Sequence, residues 1–127
     1  MFALRVIVAD EDAASRKKIC NIVEMLGNID LCEQVEDGAD AIARSKAIDP
    51  DIAILSTGLP VISGLEVAKE LRGLYPHIAI LMLTPAQGEH FALSARLIGA
   101  NGYVAKPASA ETILSAMDAA LHEGAVR

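Results

Sequence analysis

Tryptophan is absent from this chain, and phenylalanine and tyrosine occur only twice each. A core without aromatic bulk has to be aliphatic, and Ala, Ile, Leu and Val supply most of the 53% hydrophobic content. Basic residues are also in deficit: 11 Lys and Arg stand against 17 Asp and Glu, a net charge of −6. A nucleic-acid footprint would need clustered Lys and Arg, and the one basic run, "SRKKIC", reads as a solvated helix face. Cysteine is limited to Cys20 and Cys32, both in apolar runs whose spacing matches no zinc pattern, so buried reduced thiols are expected. No apolar run approaches the ~20 residues that span a bilayer. The opening "MFALRVIV" lacks the charged, long apolar and small-residue parts of a signal peptide. Together these absences point to a cytoplasmic protein with no membrane partner.

What is present fits one domain, since 127 residues falls within the commonest size range. At that length roughly two thirds of the unfolded surface can be buried, enough for a core without disulfides or metals. The hydrophobic period switches repeatedly between strand and helix. "LRVIVA" (4–9) reads as a strand, and "AASRKKICNIVEML" carries a helical stripe at Ile19, Ile22, Val23 and Leu26, with Gly27 as the stop. "DLCEQV" (30–35) is a weaker strand, and Asp37 caps a helix holding Ala41, Ile42 and Ala43. "DIAILS" (51–56) is a continuous apolar strand, as expected when both sheet faces are covered. Ser63 and Glu66 form a capping box opening "GLEVAKELRGL". A strand at 77–84, a helix near 88–98, a strand at 102–105 and a helix from 110 to about 122, capped by Ser109, complete the series. Strand alternating with helix five times predicts an α/β fold, a doubly wound parallel sheet with helices on both faces.

In such a sheet functional groups gather at the carboxyl ends of the strands. Those ends carry Asp10 and Glu11, followed by Asp12; then Ser56, Thr57 and Gly58; then Thr84 and Pro85; and finally Lys106 and Pro107. Alone, each has a bland explanation, a helix cap or a solvated turn. Acids, a hydroxyl and an ammonium converging from four segments point instead to a shared site.

The motifs "VIVADED" with Arg16, "DGADAI", "LPVISG", "LMLT" and "GYVAKP" make the chain resemble, nearly end to end, the CheY-like receiver domain of bacterial response regulators. The resemblance implies a flavodoxin-like sheet of strand order 2-1-3-4-5, with a receiver-like domain over 1–123 and a tail or linker start at 124–127. It implies Asp10 and Glu11 as magnesium-binding acids with the Gly58 carbonyl, Thr84 as the switch hydroxyl, Lys106 as the phosphoryl contact and Tyr103 as the aromatic that reports activation. Ser56 falls where the family's phosphoryl-accepting aspartate belongs.

An alcohol there removes a metal ligand, so Mg²⁺ is expected to bind weakly or not at all, and no cofactor is required. It also needs a base, and His77, His90 and His122 all lie elsewhere. Pro85 is a second departure, because proline offers no N–H to a phosphoryl oxygen. These residues predict a pseudo-receiver, not an enzyme, acting through protein partners, a sensor kinase or an output domain. The family's partner surface is its fourth helix, fifth strand and last helix, parts of "EHFALSARLIG", "GYVA" and "ETILSAMDAAL". The alternative is a phosphorelay switch whose acceptor aspartate is replaced here, naturally or by engineering.

Overall fold

The β-branched and aliphatic runs form five strands: β1 (Leu4–Ala9), β2 (Ile29–Val35), β3 (Ile52–Ser56), β4 (Ala79–Thr84) and β5 (Gly102–Ala105). The structure, a computed structural model, describes residues 3–85, 95–96 and 98–126. All strand pairs are parallel, as the alternation of strand and helix predicts, and the order is 2-1-3-4-5, the flavodoxin-like arrangement that the receiver resemblance implies. Helices α1 (Ala13–Glu24), α2 (Gly38–Ile48) and α3 (Gly64–Leu74) and a C-terminal helix (Ala110–Val126) pack on the sheet. The predicted helix near 88–98 falls mostly outside the described residues.

Side-chain alternation along the strands divides the core into two layers. Val6, Val8, Ile52, Ile54, Leu81, Leu83 and Val104 face α1 and the C-terminal helix, joining Ile19, Val23, Ile113 and Met117. Ile7, Ala9, Ala53, Leu55, Ile80 and Met82 face the other way, joining Ala41 of α2 and Val67 and Leu71 of α3. β3 and β4 are buried along their whole length, which explains their unbroken apolar sequences.

The expected caps are in place. The side chain of Asp37 accepts from the Asp40 amide at 2.8 Å, Ser63 from Glu66 at 3.3 Å and Ser109 from Thr112 at 3.1 Å. α1 stops at Glu24, two residues before the predicted stripe ends, and Gly27 follows with φ of 82°. The C-terminal helix continues to Val126, beyond the expected end near 122. β4 begins at Ala79, so His77 lies in the turn before it.

Cys20 of α1 is buried and Cys32 of β2 partly buried, and the two side chains meet, their Cα atoms 6.2 Å apart. Packing α1 against β2 brings together two residues whose sequence separation of 12 carries no signal of the contact.

Between β3 and α3 the chain makes a tight turn. Ile62 N–H donates to the Pro60 carbonyl at 2.8 Å, closing a three-residue turn around Val61 at φ of 72°. Gly38 N–H donates to the same carbonyl at 3.0 Å. A Cβ on Gly38 would sit 1.9 Å from the Ile62 carbonyl oxygen, so only glycine allows α2 to start this close.

Candidate functional site

Strand register decides which side chains meet at the rim. β1 pairs Ala9 with Leu55, so Asp10 and Ser56 are the next residues in register. β3 pairs Ser56 with Leu83, and β4 pairs Leu83 with Val104. By alternation Asp10, Ser56 and Lys106 share the sheet face of Val8, Ile54 and Val104, beneath α1 and the C-terminal helix. Thr84 follows Leu83 and belongs to the opposite parity.

Asp10 is the centre of the site. It is fully buried, yet its carboxylate is completely engaged. Lys106 Nζ donates to Oδ2 at 2.7 Å, Ser15 Oγ donates to the same oxygen at 2.7 Å, and Asp12 N–H donates to Oδ1 at 3.0 Å. Its backbone is held as well, because Arg16 donates to its carbonyl at 2.8 Å and its N–H donates to Val35 at 3.1 Å. Burial opposes ionisation of Asp10, but the Lys106 and Ser15 hydrogen bonds, the Asp12 amide and the Lys106 charge outweigh it. The carboxyl is held below its ordinary value. Asp12 belongs to the helix, capping α1 through the Ala14 amide at 3.1 Å.

Ser56 is buried, 2% exposed, at the end of β3, and among the described residues its Oγ accepts a long contact from Gly58 N–H at 3.4 Å. Glu11 is exposed and leans over Gly58, with Oε2 2.7 Å from where a Cβ on that glycine would stand. Thr84 is buried, and its carbonyl accepts from Lys106 N–H at 2.7 Å. Pro85 is exposed beside it. Tyr103 sits on the edge strand β5, 36% exposed. The structure thus clasps Asp10 to Lys106, puts Ser56 in register beside them and leaves Glu11 above Gly58. Among the described residues no group of three or more His, Cys, Asp or Glu side chains is placed to hold a metal ion. His77 and His122 are exposed, and His90 lies outside the described residues.

Ser15 is the residue that sequence reasoning missed. Its signal was positional: a hydroxyl on the first turn of the helix that follows an acid-ended strand.

Comparison with known proteins settles the family. The response regulator receiver domain model matches residues 6–118. The chain belongs to that family. This receiver is 27% identical over 114 residues to the transcriptional regulatory protein LnrK of Bacillus subtilis, covering 90% of this chain and 52% of that one. It is 31% identical over 107 residues to a protein-glutamate methylesterase/protein-glutamine glutaminase of Trichodesmium erythraeum, covering 83% and 30%. The chain therefore spans about half the length of the regulator and less of the methylesterase. Among solved structures, a LuxR-family two-component response regulator from Aurantimonas superposes with a TM-score of 0.87 at 26% identity, covering 95% of this chain and 86% of that one. The chemotaxis response regulator CheY4 of Vibrio cholerae gives 0.85 at 26%, covering 94% and 99%. No helix among the described residues is long and apolar enough to cross a membrane.

Proposed function

We propose that this receiver signals by protein–protein contact, without accepting a phosphoryl group by the family's aspartate route. One observation carries the reading: a buried alcohol, Ser56, stands in register with Asp10 at the end of β3, where the resemblance places the accepting carboxylate. An alcohol nucleophile needs a base within hydrogen-bond reach. Among the described residues the carboxylate in register with it is Asp10, which already accepts from Lys106, Ser15 and Asp12. Pro85, beside Thr84, has no N–H to offer a phosphoryl oxygen.

The donor set that the resemblance assigns, Asp10, Glu11 and the Gly58 carbonyl, supports weak or absent Mg²⁺ binding, because an ammonium already grips the buried Asp10 and Asp12 is committed to capping α1. Mg²⁺ can be held by one or two carboxylates and several waters, so the loss of a carboxylate at position 56 lowers the affinity rather than abolishing the site outright. Lys106 instead supplies the positive charge from within the protein.

The partners proposed are a sensor kinase or an output domain, meeting Tyr103 on β5 and the C-terminal helix. Half-length matching to transcriptional regulators supports an output segment in a longer protein, whose activity belongs to that segment. Incubation with a small acyl-phosphate donor and Mg²⁺, followed by intact mass, tests the reading. An unchanged mass is expected. Gain of one phosphate would establish the alternative, a phosphoacceptor switch working by an unusual route. Crystals soaked with beryllofluoride are expected to show no density on Ser56 Oγ.

A further inference from the structure

Cys20 and Cys32 are the two cysteines of the chain, and the fold brings them together. Cys20 lies on the buried face of α1, 4% exposed, beside Ile19, Ile22 and Val23. Cys32 lies on the edge strand β2, paired with Val6 of β1, and is partly buried. Their Cα atoms are 6.2 Å apart, and Cys20 Sγ reaches the Cys32 carbonyl at 3.5 Å. Disulfides span Cα separations of roughly 4.4–6.8 Å, so the pair can be bridged without moving the backbone. The two elements that such a bridge joins are both fastened to Asp10. From α1, Ser15 donates to its carboxylate and Arg16 to its carbonyl; from β2, the Val35 carbonyl accepts its N–H.

We propose that Cys20 and Cys32 form a reversible thiol–disulfide pair that ties α1 to β2, with a small disulfide of the glutathione class as the oxidant. The thiolate of Cys32, the less buried of the two, attacks one sulfur of the oxidant, breaks its S–S bond and releases one small thiol. Cys20 Sγ, as its thiolate, then attacks Cys32 Sγ and expels the second small thiol. One S–S bond breaks and one forms. The two protein sulfurs give up two electrons to the oxidant, and their two protons end on the released thiols. Excess small thiol runs both steps backward. The bridge closes a short loop and so restricts the unfolded chain. It also fixes Ser15, Arg16 and Val35 relative to one another, so the oxidised domain holds Asp10 more tightly than the reduced one. The inference goes beyond the functional reading above and does not depend on it.

The reduced chain is equilibrated with mixtures of reduced and oxidised glutathione, free thiols are trapped with N-ethylmaleimide, and intact masses are measured. With oxidant in excess, the expected product is a monomer lighter by two hydrogens that takes no label. Dithiothreitol is expected to restore two labelled thiols. Cys20→Ala is expected to stop at one glutathione adduct on Cys32, and Cys32→Ala to react about tenfold more slowly, because Cys20 is buried. The closed wild type is expected to melt about 5–10 °C above the open one, and oxidant is expected to stabilise neither alanine variant. Closing is expected to slow amide exchange at Asp10 and Asp12 by about threefold or more relative to Val67 of α3, which lies away from the bridge. The proposal is overturned if two glutathione adducts persist, if the bond joins two chains, or if it forms only in urea-unfolded protein. It is equally overturned if the closed form melts no higher than the open one, or if exchange at Asp10 and Asp12 is unchanged. Phosphate gain by mass would sink the functional reading and leave this result standing, so the two failures are separable.

Discussion

Replacing Lys106 by Met keeps the length of the side chain and removes its ammonium, which tests whether the pocket is neutralised from within. Asp10 is fully buried and Lys106 has a side chain only 24% exposed, so the pair is not a surface ion pair of negligible worth. Removing one partner of a buried pair typically costs about 3–5 kcal/mol, because the other charge is left without a counter-ion. Ser15 Oγ and Asp12 N–H remain on the carboxylate, which places the expectation at the lower end, about 3 kcal/mol. Against a total stability of about 5–15 kcal/mol, that loss is plainly visible in equilibrium urea unfolding at neutral pH. Asp10→Asn in the Lys106→Met background removes the orphaned charge and is expected to recover most of the loss, a coupling of about 2–3 kcal/mol. The pH dependence has a definite sign. In the wild type the Asp10 carboxyl is held below its ordinary 3.8, so its stabilisation is complete above that value and is lost as pH falls below it. In Lys106→Met the strongest donor is gone, burial dominates, and the folded protein takes up the proton at higher pH. The stability gap to the wild type therefore narrows on acidification. A Lys106→Met loss below about 0.5 kcal/mol, or no relief from Asp10→Asn, would refute the clasp.

Ser56→Asp puts a third carboxylate beside a buried one and is expected to cost about 1–3 kcal/mol without metal, with millimolar Mg²⁺ recovering part of it. Thermal melts of the variant and wild type, each with and without Mg²⁺, check this, since the wild type should barely respond. Val61 is 80% exposed at φ of 72°, a region that costs a residue with a side chain about 1–2 kcal/mol. Val61→Gly relieves that strain and adds about 0.5–1 kcal/mol of unfolded-chain entropy cost, so a net gain of about 0.5–1 kcal/mol is expected in urea unfolding. Ser45 in α2 is fully buried and, among the described residues, its Oγ has no hydrogen-bond partner. Ser45→Ala removes an unsatisfied hydroxyl and installs a better helix former, and is expected to raise stability by about 1 kcal/mol on the same assay.

The parts of this receiver that could be read from sequence are those set by periodicity and by local hydrogen bonds. β3 announces itself as an unbroken apolar run because both its faces are covered, and Asp37, Ser63 and Ser109 announce helix starts because a cap acts within three residues. The rim was legible for the same reason: strand ends of a parallel sheet lie on one edge, so Asp10, Ser56 and Lys106 had to be neighbours. What could not be read depends on contacts between elements. The Cys20–Cys32 contact follows from the way α1 lies on β2, and no one-dimensional spacing encodes it. Ser15 looked like any polar residue on the first turn of a helix, although it gives Asp10 one of its two shortest hydrogen bonds. That contact changes the meaning of Ser56. A pocket that had merely lost its central carboxylate would keep a buried Asp10 in need of a cation. Here a lysine and a serine from opposite ends of the chain satisfy that carboxylate, 96 and 5 residues away from it. The site thus holds its shape on its own groups, and an Asp placed at position 56 would meet an Asp10 carboxylate already committed to them.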